Sequence, residues 1–116
     1  MATYFYVVLT KATPGKEAEF HEWYDAQHLP DCVNVPGVKA ARRYKLLNAV
    51  GADGAEPFEF NSLALYEMET DDPVAVAKAL SARAGTPAMP MTDAINRAAS
   101  VKVIAQAAGE IPAAKR

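Results

Sequence analysis

The chain opens on an alternation. In "TYFYVVLTK", Thr3–Lys11, the residues Tyr4, Tyr6 and Val8 alternate with Phe5, Val7 and Leu9. Residues this rich in aromatic and β-branched side chains predict a strand. "ATPGKE" then turns the chain, with Thr13 as an N-cap and Pro14 as an acceptable first helical residue. The period changes next: Phe20, Trp23 and Tyr24 cluster on one side of a helix predicted over Pro14–His28. Pro30 is expected to stop that helix at Leu29. "VPG", Val35–Gly37, is turn chemistry, and "VKAARRYKLLN" is a second strand from Val38. "AVGADGAEP" reads as a glycine-bearing surface loop. The third strand is "FEFNSLALYEME", Phe58–Glu69.

"TDDP" has the acidic first turn and early proline of a helix start. The helix that follows, "VAVAKALSARA", is apolar through Val76 and Leu80 and stops at Gly85. "TPAMPMTD" is irregular, "DAINRAA" is expected to add a short helical turn, and "SVKVIAQA" is the last strand. "GEIPAAKR" is a tail, or an arm reaching a partner. The order predicts an α+β class: a ferredoxin-like βαββαβ fold with a four-stranded antiparallel sheet and both helices on one face. One domain is expected over 1–108, with a tail over 109–116.

In such a fold the face without helices should be polar. Here both faces are apolar, since Leu63 and Leu65 alternate with Ala64 and Tyr66, and Val101 and Val103 alternate with Ile104. A bare apolar face of this extent predicts a second copy packed sheet to sheet, a homodimer. The alternative is that "TPAMPMTD" covers the face.

Composition narrows the classes. The 51% hydrophobic and 22% charged content is expected of a soluble globular protein. A net charge of −2 without a basic stripe argues against nucleic acid. "YFYVVL" is too short for a membrane span or a signal core, so no membrane partner is expected. Cys32 is the one cysteine, so no internal disulfide forms, which suits a reducing cytoplasm. One cysteine and two histidines do not make a zinc framework. No metal and no cofactor are expected.

The chemistry concentrates in "HEWYDAQHLPD", His21–Asp31. On a helical wheel His21, Asp25 and His28 share a shoulder beside Tyr24. They could simply solvate that edge, with His28 capping the helix end. A metal triad is geometrically poor, because two helical turns span about 10 Å. The third reading is acid–base chemistry: His28 at a cavity between helix and sheet, its tautomer set by Asp25 or Asp31. Cys32 reads as a buried thiol. Arg42 and Arg43 point to opposite faces; one could bind an acidic group and the other make an ion pair. Tyr66 could line a pocket or pack in the core.

"EWYDAQHLPD" followed by "VPGV" and "ARRY" resembles the dimeric α/β-barrel superfamily, and specifically its EthD-like branch. The resemblance is specific over Glu22–Tyr44 and implies two sheets closed face to face in a dimer. It also implies His28 as the acid–base residue. Relatives of several chemistries share the fold, so fold does not choose among them. The resulting expectation is a cytoplasmic homodimer performing cofactor-free proton transfer, as an isomerase, cyclase or lyase, on an aromatic or cyclic oxygenated metabolite. His28, Tyr24 and Asp25 are the candidate catalytic residues, and Trp23, Arg42, Arg43 and Tyr66 the candidate substrate-binding residues. The alternatives are a non-catalytic ligand-binding accessory protein and a cofactor-free monooxygenase of a phenol.

Overall fold

The computed structural model describes residues 1–114. In chain order the elements are β1 (Ala2–Ala12), α1 (Glu17–Trp23), a π-helical turn (Tyr24–His28), α2 (Leu29–Val33), β2 (Val38–Lys45), β3 (Asn48–Gly51), β4 (Gly54–Pro57), β5 (Ser62–Thr70), α3 (Pro73–Arg83) and β6 (Ile95–Ala105). Four strands form one antiparallel sheet in the order β2-β5-β1-β6. This is the ferredoxin-like α+β arrangement that the element order predicts.

Strand alternation decides what each face does. Tyr6, Val8 and Thr10 of β1 and Ser62, Ala64, Tyr66 and Met68 of β5 are buried on the helix side. Tyr6 stands opposite Tyr66, and Val8 opposite Ala64. Phe20 and Tyr24 from the first helix, with Val76 and Leu80 from α3, complete this core. Full burial of such side chains is worth about 1.5–3 kcal/mol each. The start of α3 follows the sequence reading: Asp72 Oδ1 accepts from the Ala75 N–H at 3.1 Å, and Pro73 opens the helix.

Four expectations are corrected. The first helix does not stop before Pro30; α2 carries it to Val33. A proline ring normally collides with the carbonyl four residues back. The π-turn, in which the Leu29 N–H donates to the Tyr24 carbonyl five residues back, widens the helix where the ring enters. The "AVGADGAEP" loop is in part a hairpin, β3 with β4, closed between Gly51 and Gly54, where a φ of 130° suits glycine. The third strand of the core begins at Ser62, so Phe58 and Phe60 precede it. Finally, "DAINRAA" is strand from Ile95 onward. Ile95 pairs with Ala12, and the Thr13 N–H donates to the Ala94 carbonyl at 2.7 Å. Ladder pairing with β1 overrides the local helix preference of the alanines.

The other sheet face is apolar and bare. Val7 lies between Leu65 and Val103, and Leu9 between Leu63 and Val101. Val101 and Val103 are 46% and 51% exposed. The "TPAMPMTD" segment does not cover this face. It packs on the helix side, where Met89 is fully buried and the Trp23 Nε1–H donates to the Pro90 carbonyl at 3.3 Å. Among the described residues no helix is long and apolar enough to cross a membrane.

Gly37 locks the first helix to the second. Its φ is +95°, and a Cβ there would lie 2.8 Å from Val76 Cγ2. Gly37→Ala is therefore expected to destabilise the fold by about 2 kcal/mol. Denaturant unfolding measures this, and a loss below about 0.5 kcal/mol would contradict it.

Candidate functional site

The π-turn decides which side chains meet. Along a uniform α-helix Cys32 would drift about 80° around the axis from Tyr24. A π-turn rotates the chain less per residue and cancels most of that drift. Tyr24, His28 and Cys32 consequently form one stripe, and all three line a cavity of about 130 Å³ between the first helix and the sheet. Tyr6, Val8, Thr10 and Tyr66 form its sheet wall. Met89 and Met91 line it from the segment before β6.

His28 is held on two sides. Its ring stacks on Trp23 at 4.7 Å and 25°, and meets the edge of Tyr24 at 5.1 Å. Its Nδ1 is buried and has no hydrogen-bond partner. Burial pushes its pKa down to about 4; Arg97 and Lys102 push the same way, and Asp31 opposes them. The imidazole is therefore neutral at neutral pH. Burial raises the Tyr24 phenol and places Tyr66 well above its ordinary value, so both remain protonated donors. Burial also lifts the Cys32 thiol to about 11, and its Sγ donates to Tyr66 Oη at 3.7 Å. That makes it a poor nucleophile. Thr10 Oγ1 lies beside the Tyr24 hydroxyl but is buried without a well-aligned partner.

Away from Arg97 and Lys102, which also line the cavity, its walls are largely apolar and its polar groups uncharged. Its polar groups include one imidazole, three phenols, the Thr10 hydroxyl and a thiol. A buried polar atom left unpaired costs about 1–3 kcal/mol. Two such atoms, His28 Nδ1 and Thr10 Oγ1, line this one cavity.

Asp25 is not part of this cavity, which corrects its role as the group that sets the His28 tautomer. Its carboxylate is taken by Arg43, with Nε–Oδ1 at 2.8 Å and Nη2–Oδ2 at 3.0 Å. The Arg43 pull on Asp25 holds its carboxyl below the usual range. Arg43 Nη1 also donates to His21 Nδ1 at 2.8 Å and to Ser62 Oγ at 3.3 Å. Burial, and then the Arg43 charge, lowers the His21 pKa. Accepting from Arg43 fixes its remaining proton on Nε2. The Arg43 guanidinium lies 5.2 Å over the Tyr24 ring, so Arg43 props the cavity from behind and does not enter it. Arg42 faces the bare side of the sheet, with Glu67 at 3.8 Å. Trp23 likewise stands behind His28 and outside the cavity lining. Among the described residues no three His, Cys, Asp or Glu side chains come together as metal ligands would.

No family model matches the chain, and no curated protein matches it. Among solved structures, the crystal structure of an ethyl tert-butyl ether D (EthD) family protein from Bacillus halodurans C-125 superposes with a TM-score of 0.52. The match covers 93% of this chain and 100% of that one at 15% identity. The fold is EthD-like. At that identity the likeness extends to the fold and not to an activity.

Of the residues marked from sequence, the EthD-like fold brings Tyr24, His28 and Tyr66 to the cavity. It places Trp23 and Arg43 one layer behind, and Asp25 and Arg42 elsewhere. Thr10, Arg97 and Lys102 were missed. Thr10 left a signal, because it interrupts the apolar series Tyr4, Tyr6, Val8 with a hydroxyl on the buried face. Arg97 and Lys102 left none, since their strand register depends on long-range pairing with β1.

His28→Leu is expected to stabilise the fold by about 1 kcal/mol at pH 7, because it removes an unpaired buried nitrogen. The gain has a defined pH dependence. The unfolded imidazole takes up a proton near pH 6.5, whereas the native one resists it until about pH 4. Native stability therefore falls as pH drops through that window, and the leucine variant lacks that loss. Urea unfolding of both forms between pH 7 and pH 4 reads the difference. A gap that stays constant or narrows as pH falls would contradict the buried placement.

Proposed function

We propose that this chain is a cofactor-independent enzyme that moves a proton on a small cyclic or aromatic oxygenated molecule. The observation that carries the reading is the pair of unpartnered buried atoms, His28 Nδ1 and Thr10 Oγ1, in the wall of one cavity. Neutral His28 takes a proton from a carbon next to a carbonyl. Tyr24 and Tyr66 donate hydrogen bonds to the oxygen on which negative charge develops. The imidazolium then returns the proton to another atom of the same molecule, so no oxidant or reductant is consumed. A developing negative charge in the cavity raises the basicity of His28 from its low resting value.

A second reading has its own support. A resting pKa of about 4 makes His28 a weak base, which suits a non-catalytic ligand-binding protein. Turnover separates the two. With a true substrate, His28→Ala is expected to lower kcat by about 100-fold, and Tyr66→Phe by about tenfold or more, with modest effects on KM. Wild-type-like turnover in His28→Ala would overturn the enzymatic reading, and tight binding without product would favour the second.

The bare sheet face is proposed to meet a second copy of the chain. Its centre is Phe5, Val7, Leu9, Leu65 and Val103, and its border carries both signs: Lys39 with Glu69 at 2.9 Å, and Arg42 with Glu67. An apolar centre with a mixed-charge rim is self-complementary under a two-fold axis. Leu65→Asp is expected to yield a folded monomer by analytical ultracentrifugation where the wild type sediments as a dimer. A wild-type monomer would overturn the assignment.

A further inference from the structure

We infer that the ligand of this cavity is a single-ring acid. Its ring and ring oxygen sit among Tyr24, Tyr66 and Thr10, and its carboxylate lies at the mouth between Arg97 and Lys102. The inference rests on the reading of the cavity as a ligand site and adds the size and charge of what enters it.

Size comes first. A cavity of about 130 Å³ is close to the ~150 Å³ apolar cavity that accommodates benzene. One six-membered ring fills a space of that size. The deep walls are apolar, with Leu80, Met89 and Ile95 facing Val8. The oxygen-seeking hydroxyls stand together on one side.

Charge decides the rest. The cavity lining contains Arg97 and Lys102 but no aspartate or glutamate. Lys102 pairs with Val8 across the β1–β6 ladder, which sets it on the helix side of the sheet, over the cavity. Arg97 lies against Gly85, its Nη1 3.6 Å from where a Cβ would stand, so its guanidinium is folded across the end of α3. Neither cation has an ion-pair partner among the described residues. Of the nearby acids, Asp93 is paired with Lys16 at 2.9 Å, whereas Asp31, bonded to the neutral Gln27 Nε2 at 2.7 Å, keeps its charge and opposes the two cations at His28. Two free cations at the mouth of a chain with net charge −2 form a local positive field that steers and holds an anion. Both also make an imidazolium unfavourable until an anion neutralises them, which couples ligand charge to the basicity of His28.

The test compares three probes on the full chain by calorimetry at low salt: 4-hydroxybenzoate, its neutral isostere 4-hydroxybenzamide, and phenol. The acid is expected to bind about tenfold tighter than the amide. In the exposed double variant R97Q/K102Q that preference should vanish, while phenol binding stays within about twofold. His28→Ala should weaken all three. Equal affinity for acid and amide, or a preference that survives in R97Q/K102Q, overturns the inference; if the neutral probes still bind in a His28-dependent way, the cavity reading stands without it. Failure of all three to bind overturns the inference and the cavity reading together.

Discussion

One wide turn in the first helix fixes the site. A regular α-helix could not place Tyr24, His28 and Cys32 on a single stripe, nor could it pass through Pro30 without losing its ring-to-carbonyl clearance. The π-turn at Tyr24–His28 does both. It shifts the helical register by about one residue, so that a tyrosine before it and a cysteine after it look into the same space. π-turns give up good hydrogen-bond geometry and persist mostly where function needs them. This one ends at His28, a half-buried imidazole whose buried Nδ1 has no hydrogen-bond partner.

Around the cavity the structure is built in two layers. The inner layer is neutral and incompletely hydrogen-bonded: His28, Thr10, Tyr24, Tyr66 and Cys32. Behind it stands a layer of paired side chains. Arg43, whose side chain is only 9% exposed, grips Asp25 with two bonds, reaches His21 and Ser62, and lies over the back of Tyr24. Trp23 does the same for His28, held by its own bond to Pro90. The stable outer layer fixes rotamers in the inner layer, where the hydrogen-bonding capacity is left for a guest. The polar richness of "HEWYDAQHLPD" thus divides in two, with His28 inside and His21 and Asp25 acting as supports.

Much of the fold is legible in the chain because alternation and capping act locally. Tyr6, Val8, Ala64 and Tyr66 announce a buried face by period alone, and Asp72 with Pro73 announces a helix start. The failures are places where a distant partner decides, or where a local turn geometry is not marked by the residue types. β6 takes "DAINRAA" because β1 offers it a ladder. The β3–β4 hairpin needs a tight turn between two glycines that reads from sequence as any loop. Pro30 is a reliable stop only for an α-helix, and nothing in the letters marks the wider turn that admits it. Within the site, His28 and Tyr24 were readable from helical phase. Their partners were not, since Asp25 chooses Arg43 across eighteen residues, and Arg97 and Lys102 reach the mouth only through strand register.

The central claim is that His28 lines the cavity in its neutral form while His21 is fixed by Arg43. Nitrogen-15 NMR of the two imidazoles across pH 3 to 8 tests this most directly. The account predicts that His28 stays neutral until about pH 4 and that His21 carries its proton on Nε2. A His28 imidazole that protonates near its ordinary value of 6.5 would mean that it stands in water, and the site described here would not exist.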